Sequence, residues 1–251
     1  MNRDLMDRIA DVEDRHWWFE GRRALVARAL DAMSLPPGAH LLDAGAGSGG
    51  TLPLLARYGT VRAFELDAAA RERASARGVV DVVDGRLPDA VPYPDERFDA
   101  VVLLDVLEHV RQDVRALDVL RQRLAPGGRL LVTVPANDWM WSAHDVANHH
   151  MRRYSRRSLR WTAERAGLAV ETLTYTNAVL FPITAAVRLV ERWRPSLDDG
   201  LALPPPVVNR VLGAAFAAER WAIGRVPLPF GVSLLLVARD GRQDVGRDSV
   251  L

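Results

Sequence analysis

The sequence predicts an α/β fold in which a parallel sheet carries helices on both faces. Short apolar runs alternate with helix-length segments from residue 38 to about residue 175. A glycine-rich turn, Gly45-Ala46-Gly47-Ser48-Gly49-Gly50, follows the first of those runs. Acidic side chains stand where successive runs end, which is the edge at which such sheets bind ligands.

Composition limits the classes of protein that the chain can belong to. Its 251 residues are 49% hydrophobic, enough to bury a core as one large domain or as a domain with an elaboration. A net charge of +1 gives no general attraction to nucleic acid, so no nucleic-acid partner is expected. Cysteine is absent and all 33 basic residues are arginine, which excludes a thiolate nucleophile, a lysine Schiff base and a P-loop lysine. Met1–Arg15 has no apolar core, so we expect no signal peptide and a cytoplasmic location.

The first half of the chain predicts helix and then the alternating series. Apolar residues three and four apart indicate helix over residues 1–33, and Pro36-Pro37-Gly38 ends that segment. A strand over His40–Ala44 precedes the glycine turn, and a helix follows the turn to about Tyr58. The series continues with strands over Val61–Leu66, Val79–Val83, Asp99–Leu104 and Arg129–Pro135 and helices over Ala68–Arg77 and Gln112–Leu124.

The second half departs from that alternation. Asn137–Tyr154 is rich in His, Trp, Asp and Asn without a period, which predicts a long functional loop. Ser155 or Ser158 is expected to cap a helix that ends at Ala166. The remaining predicted elements are a strand over Leu168–Tyr175, apolar helices over Asn177–Trp193 and Pro206–Ile223 joined by Arg194–Pro205, and a strand over Gly231–Arg239. We expect the tail after Asp240 to be disordered.

The glycine turn is a candidate cofactor site. Glycines let the backbone approach a ligand closely, and the helix that follows directs free N–H groups at the turn. The bare spacing of Gly45, Gly47 and Gly50 is shared with dinucleotide-binding proteins, so it is weak by itself. Asp43 separates the alternatives, because a carboxylate repels a pyrophosphate and attracts an ammonium group. S-adenosylmethionine carries an ammonium group and no phosphate.

Three further acids stand at the ends of the next predicted strands. Glu65 ends the second strand, where a carboxylate can accept hydrogen bonds from both ribose hydroxyls. Asp84 ends the third, where it could take the adenine amino group. Asp105 ends the fourth, facing the place where the reactive group of a cofactor would lie. Each acid alone could be a solvated loop residue, but four at consecutive strand ends predict a site.

Five motifs in order make the sequence similar to the class I S-adenosylmethionine-dependent methyltransferases. They are Leu41–Gly50, Phe64–Asp67, Asp84–Pro88, Phe98–Val110 with its Leu107-Glu108-His109, and Leu124–Gly128. The resemblance covers about residues 38–175. It implies a seven-stranded sheet whose last, antiparallel strand lies beside the fifth. His16–Arg23 and Trp141–Tyr154 also resemble, more loosely, a bacterial subgroup linked to small-molecule, surface-glycan or lipid modification.

The resemblance and the residues together divide the chain into five segments. The expected organisation is an N-terminal helical lid (1–37), an S-adenosylmethionine-binding core (38–175), a helical insertion or cap (176–230), the last core strand (231–240) and the tail (241–251). The expected cofactor-binding residues are Asp43, Ala44, Gly45, Gly47, Gly49, Glu65, Leu66, Asp84, Gly85, Asp105 and Trp18. Trp18 belongs to a Trp17-Trp18-Phe19 run that could cover the cofactor or only dock the N-terminal helix.

Histidines are the candidate catalytic residues, since their unperturbed pKa lies near neutrality. His109 begins the segment after the fourth strand, beside Asp105. His144, Asp145 and His149 lie in the long loop together with His150, and a His–Asp pair there could be a base with its orienting acid. Both sets could instead be structural. Some relatives use magnesium, but histidine-rich ligation does not suit that ion, so no metal is expected.

The apolar stretches between residues 178 and 223 are too short to span a bilayer. They could form a substrate cap, a homodimer face or a peripheral membrane contact, or they could simply pack on the last strand. We therefore expect an S-adenosylmethionine-dependent enzyme that methylates a hydroxyl of a small-molecule, saccharide or lipid-linked acceptor. A quinone-type phenol or an amine is the alternative acceptor. The alternatives outside this class are a non-catalytic cofactor-binding subunit and a nicotinamide oxidoreductase, and Asp43 disfavours the latter.

Overall fold

Seven strands form one sheet in the computed structural model, which describes residues 3–191 and 202–243. They are β1 (Ala39–Ala44), β2 (Gly59–Glu65), β3 (Val82–Asp84), β4 (Phe98–Leu104), β5 (Leu124–Pro135), β6 (Leu168–Thr176) and β7 (Ser233–Asp240). Their order is β3-β2-β1-β4-β5-β7-β6. β7 is antiparallel to both of its neighbours, and the pairs from β3 to β5 are parallel. The expected α/β sheet, with its last strand inserted beside the fifth, is confirmed.

Helices cover both faces of this sheet. They are α1 (Arg3–Val12), α2 (Trp17–Ala32), α3 (Leu52–Leu55), α4 (Ala68–Ala76), α5 (Asp113–Arg121), α6 (Ala143–Ala147), α7 (Arg156–Arg165), α8 (Phe181–Glu191) and α9 (Pro206–Ala218). As predicted, Ser155 caps α7, accepting a hydrogen bond from the backbone N–H of Ser158. One apolar cluster joins α5 and α7 to the sheet, and a second joins α2 and α9 to its other face.

Several predicted boundaries in the first half were wrong. The helix after the glycine turn covers only Leu52–Leu55, because β2 already begins at Gly59, which lies against the backbone of Ala39. β3 begins at Val82, since Val79 and Val80 pack on the core cluster of α2 before the strand starts.

The stretch 137–154, which its composition predicted to be a long functional loop, is partly helical. It contains one 3-10 turn, Asp138–Met140, and the short helix α6. A capping box between Ser142 and Asp145 starts α6, so local hydrogen bonds replace the apolar period that sequence reasoning looks for.

The N-terminal helix α2 is held on the sheet by α9 from the late part of the chain. The Trp17 backbone N–H donates to Asn209 Oδ1 at 2.9 Å, and the Asn209 amide donates to the Arg15 carbonyl at 2.7 Å. The Trp17 ring meets Phe216 edge-on at 6.2 Å. Gly21 lies against the same ring, so closely that a Cβ there would be 2.2 Å from Phe216 Cδ1. A segment predicted as a cap thus fixes the position of α2.

None of the described helices is both long and apolar enough to cross a membrane. Most of the predicted connector Arg194–Pro205 and of the predicted disordered tail lies outside the described residues, and Gly241–Gln243 form one 3-10 turn.

Two glycine substitutions test the contact between α2 and α9, because we expect them to change the stability of the protein in opposite directions. We expect overpacking against Phe216 to lower the free energy of unfolding of Gly21→Ala by about 1–3 kcal/mol. A helix-propensity gain of up to about 1 kcal/mol offsets part of that loss. At Gly213 the nearest atom to a new Cβ is Glu20 Oε2 at 3.4 Å. Gly213→Ala should therefore show the helix-propensity gain without the cost of overpacking. Urea denaturation of both variants measures the difference. Equal stability of the two would contradict the packing described here.

Candidate active site

A cavity of about 1020 Å³ opens at the carboxyl ends of β1, β2 and β4. Its wall combines the glycine turn, the residues after β2 and β4, one side of α2, and part of the segment between β5 and α7. Parallel strands therefore deliver the predicted acids to one edge of the sheet, as expected for an open α/β sheet. Among the expected cofactor residues, those on the wall are Trp18, Asp43, Gly45, Gly47, Glu65, Leu66, Gly85 and Asp105.

The glycine turn has backbone angles that favour glycine. Gly45 and Gly47 have φ of +92° and +54°, and a Cβ on Gly45 would stand 2.7 Å from Val106 Cγ2. The Gly47 N–H donates to Glu65 Oε2 at 2.8 Å, while Glu65 Oε1 accepts from the Asp67 N–H at 2.9 Å. The turn and the end of β2 thus form one hydrogen-bonded unit with the Glu65 carboxylate in the cavity wall.

Asp43 is the buried acid of this site. It is 2% exposed, and its Oδ2 has no hydrogen-bond partner among the described residues. Burial raises the pKa of Asp43 to about 7; Arg22 opposes the rise and Glu65 adds to it. A cationic ligand at this point would favour the ionised form.

Asp105 and Arg22 form an ion pair across the cavity. Arg22 Nη1 donates to Asp105 Oδ2 at 2.5 Å, and its guanidinium lies 4.8 Å from the centre of the Trp18 ring. Asp105 has a φ of +56°, which is uncommon outside glycine. Sequence reasoning missed Arg22. The signals were its place in the His16–Arg23 motif and its position four residues after Trp18, which puts both side chains on one face of a helix.

Three side chains form an acid–imidazole cluster in the same wall: Glu108, His109 and His150. Their nearest nitrogen and oxygen atoms lie within 4.8 Å of one another. The His109 and His150 rings meet edge-on at 4.9 Å, and His150 Nε2 is 3.9 Å from Glu108 Oε1.

Burial moves the pKa values of this cluster. It raises the pKa of Glu108 well above its usual range, and the charge of Asp105 adds to the rise. Burial and the neighbouring His150 lower the pKa of His109 to about 4, so its imidazole is neutral at pH 7. A hydrogen bond to the His149 backbone opposes that shift.

Asp145 lies behind the cluster and away from the cavity wall. It is fully buried and accepts from His150 Nδ1 at 2.8 Å and from Arg153 Nε at 2.8 Å. Hydrogen bonds from His150 and Arg153 hold the pKa of Asp145 well below its usual range, against the effect of burial. A His–Asp pair therefore exists in this segment, but its imidazole is that of His150.

Four other expected site residues also lie off the cavity wall. Ala44 is buried within β1, and Gly49 packs against α4, where a Cβ would be 2.9 Å from the Ala74 Cα. Asp84 points outward with its side chain 75% exposed and pairs with Arg71 at 2.8 Å. His149 is exposed, with a φ of +55°. Asp84 and His149 are both exposed to solvent, and neither lines the cavity. His144, by contrast, lines the cavity.

The cavity fits S-adenosylmethionine. The unpartnered oxygen of Asp43 suits an ammonium group, and Arg22 offers a cation for a carboxylate. Glu65 offers acceptor oxygens for ribose hydroxyls, and the place where a Cβ on Gly47 would stand is open, with no described atom within 4 Å. The fold and this donor set are those expected of a class I S-adenosylmethionine-binding site.

Comparison with known proteins gives the family. The profile of a methyltransferase domain matches residues 17–173, more than half of the chain. The chain is 28% identical over 167 residues to a probable S-adenosylmethionine-dependent methyltransferase of Mycolicibacterium smegmatis, covering 65% of this chain and 63% of that protein. It is 31% identical over 183 residues to the trans-aconitate 2-methyltransferase of Streptomyces coelicolor, covering 67% and 56%. The chain belongs to the S-adenosylmethionine-dependent methyltransferase family, and its cofactor is S-adenosylmethionine.

Solved structures share the fold. A chain from the complex of the Haloferax volcanii Trm112 methyltransferase activator with a methyltransferase has a TM-score of 0.61 and 22% identity, covering 96% of this chain and 99% of that one. This likeness shows the fold alone. The chain spans between half and two thirds of the length of several of the curated relatives it matches.

A pH series tests the role of Asp43. Because its pKa is about 7, about a tenth of the protein carries an ionised Asp43 at pH 6 and about nine tenths at pH 8. We expect S-adenosylhomocysteine to bind about tenfold more weakly at pH 6, since its ammonium group needs the ionised carboxylate. Calorimetry at both pH values measures this.

Asp43→Asn is the control, because the ligand titrates in the same way in both proteins. The variant should bind more weakly at pH 8 and lose the tenfold difference. Parallel pH dependence in the two proteins would contradict the assignment.

Proposed function

We propose that the protein transfers a methyl group from S-adenosylmethionine to a hydroxyl oxygen of a small-molecule, saccharide or lipid-linked acceptor. One observation carries this proposal: the same cavity contains the glycine turn with Glu65 and, further along, the neutral imidazole of His109. Cofactor and acceptor can therefore meet in one enclosed space.

The cofactor end of the cavity supplies positioning. Asp43 binds the ammonium group, Arg22 the carboxylate and Glu65 the ribose, while Trp18 covers this end from α2. Holding reactants in line can supply roughly 7–11 kcal/mol of barrier lowering, which is the main term for such a displacement. Arg22 must exchange part of its contact with Asp105 for the ligand carboxylate.

The chemistry at the acceptor end is a proton transfer coupled to displacement. When bound, the cofactor supplies an electrophilic methyl group on a sulfonium. A lone pair of the acceptor oxygen forms the new O–C bond, the C–S bond breaks, and its electron pair remains on sulfur. The unprotonated imidazole of His109 accepts the hydroxyl hydrogen bond and then its proton.

The helical insertion favours an apolar or lipid-linked acceptor. Thr184 of α8 lines the cavity, while Ile183 and Val187 of the same helix are 65% and 49% exposed. Val207 and Val211 on α9 are 69% and 61% exposed. One segment thus reaches the acceptor end and presents apolar side chains outward, as a peripheral membrane contact requires.

Removing the His109 imidazole tests the catalytic proposal. We expect His109→Ala to lower kcat by about 10²–10⁴-fold with S-adenosylhomocysteine binding unchanged, because the loss falls on proton transfer. Methyl transfer from labelled cofactor to a panel of hydroxylated acceptors measures it. His40→Ala, at the far end of β1, is the matched control and should keep full activity. If the wild type binds the cofactor analogue and methylates no acceptor, the non-catalytic alternative gains support.

Vesicle co-sedimentation tests the membrane contact. We expect the wild type to pellet with phosphatidylcholine–phosphatidylglycerol vesicles and Ile183→Glu/Val187→Glu to remain in the supernatant, because carboxylates at that face oppose insertion. Trp161→Glu is the control, since Trp161 is 56% exposed on α7, away from the insertion. If the wild type does not pellet with the vesicles, the proposed membrane contact is contradicted and the methyl-transfer proposal is unaffected.

A further inference from the structure

We propose that the acid–imidazole cluster of Glu108, His109 and His150 is a binding site for a divalent transition-metal ion, with Zn²⁺ the best match. This departs from the expectation, drawn from sequence, that the chain holds no metal. Its role in methyl transfer rests on the proposed function, whereas the binding itself does not.

The donor distances suit such an ion after a small closure. Tetrahedral bonds of about 2.0–2.2 Å place neighbouring ligand atoms about 3.4 Å apart. His150 Nε2 and Glu108 Oε1 are 3.9 Å apart, and all three donor atoms lie within 4.8 Å of one another. Side-chain adjustments of about an ångström would close the site.

Each imidazole also has a hydrogen-bond partner outside the cluster. His150 Nδ1 lies 2.8 Å from Asp145 Oδ1, so its other nitrogen, Nε2, is turned toward Glu108. The His109 ring bonds to the His149 backbone. A carboxylate or carbonyl behind each imidazole is the usual outer support of metal-ligating histidines. Arg153 and Ser142 in turn hold Asp145 in place.

Glu108 supplies an independent observation. Its side chain is 1% exposed and faces the cavity, yet neither carboxylate oxygen has a hydrogen-bond partner in another residue of the described part of the chain. Buried carboxylates are normally paired or bound to metal. The nearby cation Arg22 already contacts Asp105. A metal ion between Glu108 and the two imidazoles would provide the missing partner.

The donor set selects the kind of ion. Two imidazoles and one carboxylate suit zinc and other first-row ions with an open coordination position, and they do not suit magnesium, which prefers oxygen. At the open position the ion would lower the pKa of an acceptor hydroxyl, whose proton would pass to water. The oxygen would then attack the methyl carbon as described above, and the electron pair of the C–S bond would pass to sulfur. In that case His109 serves as a ligand and not as the base.

Metal titration of the tag-free protein, after dialysis against a chelator, tests the site. We expect one Zn²⁺ per chain by calorimetry, no comparable heat with Mg²⁺, and visible absorption bands from bound Co²⁺. His150→Ala and Glu108→Gln should weaken Zn²⁺ binding by at least about 100-fold, above the 10–100-fold that an outer partner typically contributes. His40→Ala removes a remote imidazole and should keep the full affinity.

Binding of S-adenosylhomocysteine shows that each variant is folded. Stoichiometric Zn²⁺ that persists in both cluster variants, or no Zn²⁺ bound by the wild type, overturns the site. Zn²⁺ lost only in the cluster variants supports it, even if no acceptor is methylated, in which case the proposed function alone fails. If the chelator-treated enzyme transfers methyl groups at an undiminished rate, the metal has no role in the reaction.

Discussion

The burial of carboxylates at one edge of the sheet is the constraint on which the rest of this site depends. Asp43, Glu108 and Asp145 are each almost inaccessible to water, and removing an ionised group from water is costly unless another charge or donor compensates. Asp145 is compensated by Arg153 and His150, and its pKa falls. For Asp43 and Glu108 the effect of burial outweighs the opposing charge of Arg22, and their pKa values rise. A cationic group that enters the cavity would therefore favour the ionised form of Asp43 and Glu108, and both side chains lie in the cavity wall.

Long-range packing completes the cavity. α2 carries Arg22 and Trp18 into the wall, and it is held there by Asn209 and Phe216 of α9 from the insertion before β7. The cofactor end therefore depends on contacts between residues nearly two hundred positions apart. Trp17 and Trp18 both line the cavity, and Trp17 also docks the helix on Phe216.

Sequence reasoning was most reliable where the physical cause is local. The strand–glycine turn–helix order, the Ser155 cap and the alternation of parallel strands follow from backbone preferences and apolar period, and they placed Asp43, Glu65 and Asp105 correctly at the sheet edge. It was less reliable where the direction of a single side chain decides whether a residue enters the site. Asp84 stands at the expected strand end, yet its side chain turns out to Arg71. Among the neighbours at 144–150, His149 turns outward and His150 inward, a difference that composition cannot reveal.

The sequence by itself determined the sheet, the cofactor class and the family. This was possible because segments of a few residues encode the glycine conformations, the strand ends and the acids at those ends. Only the tertiary structure decided that Arg22 lines the cavity beside Asp105, that the imidazole bonded to Asp145 is that of His150, and that Glu108 and His109 meet His150. The contacts of Arg22 with Asp105 and of His150 with Glu108 and His109 join residues some forty to eighty positions apart, whereas Asp145 and His150 are five positions apart. These contacts depend on the packing of α2 and on the path of the segment between β5 and α7, and no local pattern encodes either.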